Sequence, residues 1–599
     1  MKKSDNLDNI RHSLAHLLAA AILKKFPKAK LGIGPVIENG FYYDFKLPRP
    51  ISDEDLKELE NSMREMIRAK LPFSGKKTTP AAAKKTFGNQ PLKLELIKDL
   101  VKAKSPLTIY ITGKKNKRGS SVNTKYQIPD TAYFVDLCRG GHVKNTSEIN
   151  PEAFKLEKIA GAYWKGDEKR PMLTRIYGLA FNTKKELDDH LLMLAEAARR
   201  DHKRLGPELD LFTFSDLVGS GLPLWTPKGT LIRNVLDDFV WELRKAYGYE
   251  KVEIPHITKK ELYEVSGHWQ KFSEELFKIT TREGHFFAMK PMNCPHHTQI
   301  YARKKWSYRE LPQRYANTTM CYRDEQTGEL AGLSRVRAFA QDDAHVFCRL
   351  SQAKEEFLKI WNIIHTFYAA FGFELRIRVS MHDPKHPEKY LGDKKKWKFA
   401  ESMLKEIVKE KQADTFEGIG EAAFYGPKLD FMAKDSLGRE WQVATIQLDM
   451  NMPERFNLSC TNEEGKEERI VMIHAAIMGS IERFLSIIIE HFAGDFPVWL
   501  APVQAVILPV SDKFSGYAKE VEEELKKHEI RMELGDANET LGKRIRETEL
   551  QKIPYIIVVG EKEMSSKTVN VRTRHKKETE TISLGNFTEK ILKETKERN

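Results

Sequence analysis

The chain is organised around the stretch RVRAFAQDDAHVF, which occupies residues 335–347. Alternate side chains of a β-strand lie on the same face, so an extended conformation would bring five of these side chains together. Such a face is too polar for an ordinary core, because buried charges are costly unless they are paired. We therefore predict a strand whose polar face is completed by a charged ligand, with an exposed edge strand as the alternative interpretation. The five residues are Arg335, Arg337, Phe339, Gln341 and Asp343.

A second strand is expected just before this one. Arg323 and Glu325 lie two residues apart and precede a Gly-containing turn at 327–329, which indicates the opposite arm of an antiparallel hairpin. A hairpin that offers arginine to a phosphate and Phe339 to a base resembles motif 2 of the class II aminoacyl-tRNA synthetases. Further stretches of the sequence resemble one family within this class, the threonyl-tRNA synthetases, and this resemblance extends from about residue 8 to the C-terminus. The stretches that narrow it are KPMNCP at 290–295, FYGPKLDF at 424–431 and VMIHAAIMGSIERF at 471–484.

Composition agrees with a soluble protein of several domains. The 599 residues suffice for roughly three or four domains. Lysine and arginine number 99 and aspartate and glutamate 85, a net charge of +14 that favours a polyanionic partner, with solubility alone as the alternative. Five cysteines argue against a disulfide framework, and no apolar run suits a signal peptide or a membrane span. We expect a cytoplasmic protein that does not contact a membrane.

A basic run, KKNKR at residues 114–118, is a candidate contact for nucleic acid. A solvated, exposed loop explains such a run equally well.

The resemblance implies an α+β multidomain protein. It predicts an α+β editing domain at 1–182, a helical linker at 183–206, a class II catalytic domain with an antiparallel sheet at 207–500, and an α/β anticodon-binding domain at 501–599. Within the catalytic domain, a helix from Gly229 to Tyr247 followed by a strand at 251–254 resembles motif 1, the element that forms homodimers. A ubiquitin-like domain that many family members carry first is expected to be missing.

Three metal ligands are implied by the resemblance: Cys294, His345 and His474. Their wide spacing excludes a structural zinc finger, and each taken singly is more often an ordinary buried residue. Three protein ligands leave a coordination position open, as in catalytic zinc sites. One Zn²⁺ per subunit would distinguish threonine from the nearly isosteric valine, because an apolar pocket separates such a pair by only about a hundredfold.

The resemblance also assigns the substrate sites. Arg323 and Lys428 would stabilise the charge that develops at phosphate during ATP-dependent activation of the amino acid, and Mg²⁺ would accompany ATP. Phe339 and Arg483 would enclose the adenine. Threonine would be bound by Met292, Gln341, Asp343, Tyr425 and Gln442, and ATP by Arg323, Glu325, Arg335, Phe339, Gln341, Thr445, Gln447 and Arg483.

A separate cluster is predicted near the N-terminus. His12 and His16 are four residues apart on a predicted helix, and Cys138 and His142 repeat that spacing. By ligand type they suit zinc. The resemblance instead implies a hydrolytic pocket that removes serine from mischarged tRNA without metal, with Asp136 beside it. Gly141 stands where many relatives have proline, a change expected to leave the flanking side chains in place.

The C-terminal stretch alternates strands and helices, which predicts a small α/β domain with a largely parallel sheet. The resemblance makes this an anticodon-binding module, and a docking domain is the structural alternative. The candidates for reading anticodon bases are Asn538, Arg546, Glu563 and Arg572. The remaining cysteines, Cys321, Cys348 and Cys460, are expected to be buried and inert.

The favoured function is ligation of L-threonine to tRNA(Thr) through threonyl-adenylate, with hydrolytic editing of Ser-tRNA(Thr). One alternative is a synthetase of the same fold that activates another amino acid. The other is a catalytically inactive, RNA-binding regulatory relative.

Overall fold

The computed structural model describes residues 3–113, 134–167 and 169–598, with side chains described from residue 6 onward. The basic run at 114–118 therefore lies outside the described residues. The chain divides into two compact units, Met1–Ala195 and Glu196–Asn599. Within the described ranges, no helix is both long enough and apolar enough to cross a bilayer.

The first unit packs helices against two antiparallel sheets. A five-stranded sheet has the order β1-β3-β8-β7 with β2 paired to β3, and a three-stranded sheet has the order β4-β5-β6. Leu14, Leu17 and Leu18 of the first helix are fully buried in the core of this unit. The helices are α1 (Lys3–Lys25), α2 (Asp53–Arg68), α3 (Pro80–Thr86) and α4 (Pro91–Lys102), and the strands are β1 (Lys30–Leu31), β2 (Val36–Ile37), β3 (Gly40–Lys46), β4 (Phe73–Lys77), β5 (Thr108–Thr112), β6 (Phe134–Leu137), β7 (Phe154–Tyr163) and β8 (Met172–Ala180).

The expected linker helix is two helices. The first, α5 (Lys184–Arg200), begins with the capping box of Thr183 and Glu186, whose side chains bond each other's backbone N–H groups at 3.2 and 3.3 Å. It stops at Asp201, because this side chain caps a new helix, α6 (His202–Glu208). Pro207 lies inside this second, short helix.

The second unit is built on an eight-stranded sheet of order β11-β15-β16-β23-β20-β19-β17-β18. The pairs at its two edges, β11 with β15 and β17 with β18, are parallel, and all the others are antiparallel. Seven other strands in this part of the chain form smaller sheets. Together with the eight strands of the large sheet, they are β9 (Phe212–Thr213), β10 (Leu224–Trp225), β11 (Glu250–Lys251), β12 (Ile257–Lys259), β13 (Lys278–Thr280), β14 (Phe286–Met289), β15 (Gln313–Tyr322), β16 (Ala338–Cys348), β17 (Leu375–Met381), β18 (Thr415–Ile419), β19 (Lys428–Lys434), β20 (Glu440–Asp449), β21 (Ser459–Thr461), β22 (Glu467–Arg469) and β23 (Val471–Ala476).

Helices cover one face of this sheet. Ala340, Ala344 and Val346 of β16 belong to the main hydrophobic core, together with residues of α11 and α14. The motif 1 helix starts earlier than predicted, because Thr226 caps it and Pro227 occupies its first turn. The strand after it, β11, has only two residues. The helices in this part of the chain, whether or not they cover that face, are α7 (Pro227–Ala246), α8 (Lys260–Ser266), α9 (His268–Lys271), α10 (Cys294–Tyr301), α11 (Ala353–Ala369), α12 (Lys394–Glu410), α13 (Met452–Arg455) and α14 (Ile481–His491).

The predicted hairpin is formed by β15 and β16, with Cys321 opposite Phe339 and Asn317 opposite Asp343. The strand is shorter than predicted, since it begins at Ala338. Arg335 and Arg337 therefore precede it. Their side chains bond Glu325, Arg335 through the carboxylate and Arg337 through the backbone carbonyl, so these contacts hold them in the connection between the strands.

The C-terminal sheet is mixed where a largely parallel one was expected. Its order is β25-β24-β26-β27-β28; the first three strands are parallel and the last two antiparallel. The six-residue α17 is too short for a crossover to a parallel neighbour. The elements are β24 (Ala505–Pro509), α15 (Ser515–Lys527), β25 (Met532–Leu534), α16 (Leu541–Leu550), β26 (Tyr555–Val559), α17 (Glu561–Ser566), β27 (Thr568–Thr573), β28 (Thr579–Ser583) and α18 (Leu584–Glu597).

Candidate functional site

A cavity of about 630 Å³ opens over the face of the large sheet that carries Phe339, Gln341, Asp343 and His345. Its wall comes from β16, β19, β20, β23 and the start of α14. All sixteen residues proposed from the sequence for metal, threonine and ATP line it, nine of them from four neighbouring strands of the sheet and seven from helices and connections beside those strands. They are Met292, Cys294, Arg323, Glu325, Arg335, Phe339, Gln341, Asp343, His345, Tyr425, Lys428, Gln442, Thr445, Gln447, His474 and Arg483.

The three candidate metal ligands converge in this cavity. Cys294 is the first residue of α10, and His345 and His474 are direct partners across the β16–β23 pair. Nε2 of His345 lies 3.1 Å from Nδ1 of His474, and the three ligand atoms lie within 4.8 Å of one another. One thiol and two imidazole nitrogens, all buried, form a donor set that fits zinc.

Two residues that the sequence reasoning missed bond the remaining ring nitrogens. Nε2 of His474 lies 3.1 Å from Oδ2 of Asp449, so its Nδ1 is the nitrogen that faces the ligand group. Nδ1 of His345 lies 2.8 Å from Nδ1 of His297, which leaves Nε2 facing the same group. Burial lowers the pKa of His345, and a neutral imidazole is the form that binds metal. Histidines that bind metal commonly have such outer partners. Here the partners come from other elements, Asp449 from β20 and His297 from α10.

The part of the cavity proposed for the nucleotide contains two arginines, Arg323 and Arg483, for which the described residues supply no counterion. The guanidinium of Arg323 lies 5.2 Å from the centre of the Phe339 ring, and its buried Nε has no hydrogen-bond partner within the described ranges. Burial lowers the pKa of Arg483, which the Ser480 cap places in the first turn of α14. Among the described residues, no carboxylate lies within 4 Å of either guanidinium. Arg335 is paired instead, with Glu325 at 2.7 Å and Glu329 at 3.2 Å.

Lys428 is held by a carboxylate that the sequence reasoning did not single out. Its Nζ lies 2.5 Å from Oδ2 of Asp430, which is fully buried. The other oxygen of Asp430 accepts hydrogen bonds of 2.9 Å from Gln442 and from Thr445. One carboxylate therefore orients three of the predicted side chains, since they occupy the adjacent strands β19 and β20.

The N-terminal cluster assembles within the first unit. Sγ of Cys138 lies 3.4 Å from Nε2 of His12 and 3.2 Å from Nε2 of His142, and Nε2 of His16 lies 3.8 Å from Oδ2 of Asp136. Burial lowers the pKa values of all three histidines and raises that of Cys138 to about 11. The pocket therefore holds neutral imidazoles and a protonated thiol at neutral pH. The four ligand atoms lie within 4.8 Å of one another, so the geometry is compatible with either interpretation of the cluster.

Three further residues support this cluster. Lys93 lies 2.5 Å from Oδ1 of Asp136, and the Tyr43 hydroxyl donates to its Oδ2 at 2.6 Å. Ser13 accepts from the Val143 N–H at 3.1 Å and lies 3.3 Å from Nδ1 of His142. No periodic pattern in the sequence indicates Lys93 or Tyr43, because each reaches the cluster from a distant element, Lys93 from α4 and Tyr43 from β3.

Gly141 has a φ of +85°, which proline cannot adopt because its ring fixes φ near −65°. The loop backbone around Cys138 and His142 therefore differs here from one that carries proline. The side chains of Cys138 and His142 on either side of Gly141 nevertheless lie together, with Sγ of Cys138 3.2 Å from Nε2 of His142.

Comparison with known proteins identifies the family. The family described as tRNA synthetase class II core domain (G, H, P, S and T) matches residues 277–492. The anticodon binding domain matches 504–594, and the threonyl and alanyl tRNA synthetase second additional domain matches 124–177. A threonine–tRNA ligase of Thermus thermophilus is 47% identical over 98% of this chain and 88% of its own length. The chain belongs to the threonine–tRNA ligase family. A relative in Porphyromonas gingivalis is 46% identical over 97% of this chain and 87% of its own length.

Membership of the threonine–tRNA ligase family confirms the predicted fold class. A solved structure described as the RNA binding domain of threonyl-tRNA synthetase from Cryptosporidium parvum has a TM-score of 0.63 and 37% identity. It covers 66% of this chain and 98% of that one. The catalytic core, the anticodon-binding domain and the additional domain shared with alanyl-tRNA synthetases are the three that the sequence indicated.

In this member of the threonine–tRNA ligase family, the four anticodon candidates lie on or beside three elements, α16, α17 and β27. Asn538 precedes α16 and Arg546 lies on it, and both are exposed. Arg572 on β27 lies 3.7 Å from Glu549 of α16, so β27 and α16 are neighbours. Glu563 accepts from the Gly560 N–H at 3.0 Å and thus caps α17.

The three cysteines of this chain without a proposed role, Cys321, Cys348 and Cys460, are buried as expected.

Proposed function

We propose that this protein ligates L-threonine to tRNA(Thr) in two steps, of which the first consumes ATP. The threonine carboxylate attacks the α-phosphorus of ATP and pyrophosphate leaves; a ribose hydroxyl of the tRNA then attacks the carbonyl of the adenylate and AMP leaves. The observation that carries the proposal is the shared cavity, in which a Cys–His–His set occurs together with two arginines that have no carboxylate partner in the described part of the chain.

The first step requires positioning and charge stabilisation more than covalent chemistry. Arg323 would bind the α-phosphate, since its guanidinium has no carboxylate partner and its Nε is unsatisfied. Lys428 would offset charge at phosphate from its position beside Asp430. Phe339 and Arg483 would enclose adenine, and Arg335 would reach the distal phosphates by exchanging its contact with Glu325. Mg²⁺ would be bound mainly by the phosphates of ATP.

Selection of the amino acid would fall to Cys294, His345 and His474. A zinc ion held by these side chains would recognise threonine by its amino group and its β-hydroxyl, and valine lacks the hydroxyl. Met292, Gln341, Asp343, Tyr425 and Gln442 would surround the amino acid, because all of them line the same cavity. Serine retains both recognised groups, which gives a reason for a second, hydrolytic site.

We propose that the pocket of His12, His16, Asp136, Cys138 and His142 performs that hydrolysis. Neutral imidazoles can accept a proton from an attacking water, and burial lowers the pKa of each histidine in this pocket. Water would add to the ester carbonyl of Ser-tRNA(Thr), and the tRNA ribose oxygen would leave with a proton. This pocket is separate from the synthetic cavity, so synthesis and editing should be separable by substitution.

The partners we propose are tRNA(Thr), ATP, L-threonine and a second copy of the chain. Asn538, Arg546, Glu563 and Arg572 are the proposed anticodon contacts, and motif 1 is the proposed homodimer element. The five cysteines are free, which suits a reducing compartment such as the cytoplasm.

The synthetic function is tested by amino-acid-dependent exchange of pyrophosphate into ATP with threonine, serine, valine, proline and no amino acid. We expect strong exchange with threonine, weaker exchange with serine and none with valine. Exchange that depends on proline would favour a synthetase of the same fold for another amino acid. No exchange by folded protein would favour the inactive RNA-binding alternative.

Editing is tested with His16→Ala and Cys138→Ala. Both variants should charge threonine normally and accumulate Ser-tRNA(Thr), while the wild type hydrolyses it. Ser62→Ala is the matched control in the same unit, because the buried Ser62 hydroxyl has no hydrogen-bond partner among the residues that the structure describes. Unchanged hydrolysis of Ser-tRNA(Thr) in both pocket variants would refute this assignment.

A further inference from the structure

Lys290 is a fully buried lysine that has no counterion among the described residues. It follows β14 directly, and its backbone is fixed on both sides: its N–H donates to the His256 carbonyl at 2.9 Å, and its carbonyl accepts from the Tyr322 N–H at 2.9 Å. Among the described residues, no carboxylate lies within 4 Å of its Nζ. Burying an ammonium without a counterion costs free energy, so the residue is a poor choice for stability alone.

The ammonium of Lys290 donates two hydrogen bonds to neutral groups. One reaches Oδ1 of Asn293 at 3.1 Å, and the other reaches Oγ1 of Thr319 on β15 at 2.9 Å. Asn293 is itself fully buried and immediately precedes Cys294. The charged group of Lys290 therefore bonds the side-chain amide of Asn293, the residue next to the proposed metal ligand Cys294.

This contact determines which way the Asn293 amide faces. An ammonium only donates, so it requires the amide oxygen, and Nδ2 must then point the other way. Nδ2 donates to Oδ2 of Asp343 at 3.2 Å. The reversed amide would place two donors together at Lys290 and two acceptors together at Asp343. Lys290 thus fixes a donor against Asp343 without touching it.

The arrangement leaves the other oxygen of Asp343 for the cavity. Oδ2 is taken by Asn293, whereas Oδ1 lies 3.7 Å from Nε2 of His345, on the side of the ligand set. Asp343 lines the cavity and is 6% exposed. An amino group or a hydroxyl bound there would meet an oriented acceptor.

We propose that Lys290 is a positioning residue for amino-acid selection: through Asn293 it holds the Asp343 carboxylate so that Oδ1 accepts from the amino group or hydroxyl of the substrate. This inference rests on the proposed function. It adds a buried residue that contributes to specificity at that site. The Lys290 ammonium would destabilise the fold and would orient the Asp343 carboxylate that accepts from the substrate.

The test separates binding from stability. Lys290→Met keeps a side chain of similar length and removes both donors and the charge. Loss of a charge-assisted hydrogen bond that orients an acceptor should raise KM for threonine in pyrophosphate exchange about tenfold, with KM for ATP unchanged. The thermal midpoint should stay equal or rise, because a buried unpaired charge is replaced by an apolar group. Lys278→Met, which alters an exposed lysine bonded to Ser273, is the matched control.

A double-mutant cycle tests the route through Asn293. If Lys290 acts through that amide, Lys290→Met should add less than about twofold to the effect of Asn293→Ala on threonine binding, measured by calorimetry. Zinc content is measured in each variant, and we expect Lys290→Met to retain it. Independent, multiplicative effects of the two substitutions would overturn the proposal.

The other outcomes are also decisive. Unchanged threonine KM in Lys290→Met, equal losses for threonine and ATP, or a lower thermal midpoint would each overturn the inference. Failure of that variant to fold would do so as well, since it would show that the charge supports the fold. Absence of threonine-dependent exchange in the wild type would refute the proposed function instead, which keeps the two failures distinct.

Discussion

His345 and His474 lie directly opposite each other on β16 and β23, with Nε2 of one 3.1 Å from Nδ1 of the other. Cys294 completes the set from the start of α10. We expect the purified protein to contain about one zinc per subunit and Cys294→Ala, His345→Ala and His474→Ala to lose it, because two ligands hold zinc far more weakly than three. Mass spectrometric metal analysis measures this directly.

The control for that measurement is His528→Ala, which alters a partly exposed histidine in the C-terminal domain. Full zinc content in His474→Ala would show that this histidine is not a ligand.

Asp449 should tune the affinity of the same site. Its Oδ2 lies 3.1 Å from Nε2 of His474, and its Oδ1 accepts from the backbone N–H groups of Asn451 and Met452. Asp449→Asn can keep the backbone contacts, but its NH₂ group cannot accept from the imidazole. Loss of such an outer partner weakens metal binding about 10- to 100-fold, which competition with a chelator would measure. Wild-type zinc affinity in this variant would contradict the assigned orientation of His474.

Cys138 should react slowly with iodoacetamide at neutral pH. It is the one cysteine of the five that is partly exposed, and the partial burial of its thiol raises the pKa to about 11. Only the thiolate reacts, so the alkylation rate should rise about tenfold for each pH unit until the pH approaches that pKa. Peptide mass spectrometry over a pH series gives the rate, with Cys138→Ser as the labelling control. A rate that levels off below pH 8 would contradict a protonated thiol.

The buried ion pair of Arg244 and Asp342 should contribute to stability. Arg244 on α7 lies 2.5 Å from Asp342 of β16, and Asp342 also accepts from the N–H groups of Ile477 and Met478. Arg244→Met leaves a buried carboxylate without its cation and should destabilise the protein by about 3 kcal/mol, seen as a lower thermal midpoint.

The exposed pair of Lys466 and Glu464 provides the comparison for Arg244→Met, since Lys466→Ala should cost less than about 1 kcal/mol. Equal effects of the two substitutions would mean that burial of the Arg244 pair adds nothing.

The sequence alone predicted much of the candidate site. Alternation placed Phe339, Gln341 and Asp343 on one face of a strand, and the structure has them there because side-chain alternation is a local property of extended backbone. The extent of that strand was wrong by three residues. Arg335 and Arg337 are drawn out of it by their contacts with Glu325, and a periodic pattern contains no information about such contacts.

The contacts between distant segments of the chain were decided only by the tertiary structure. Neither Asp449 nor His297 carries a signal in the sequence that connects it with a histidine on another strand. Lys290, Asn293 and Asp343 form a chain because β14, α10 and β16 meet, and the direction of the Asn293 amide follows from the ammonium beside it. Local patterns specify which face a side chain occupies. Strand order and register decide what that face meets, because they depend on pairing between residues far apart in the chain.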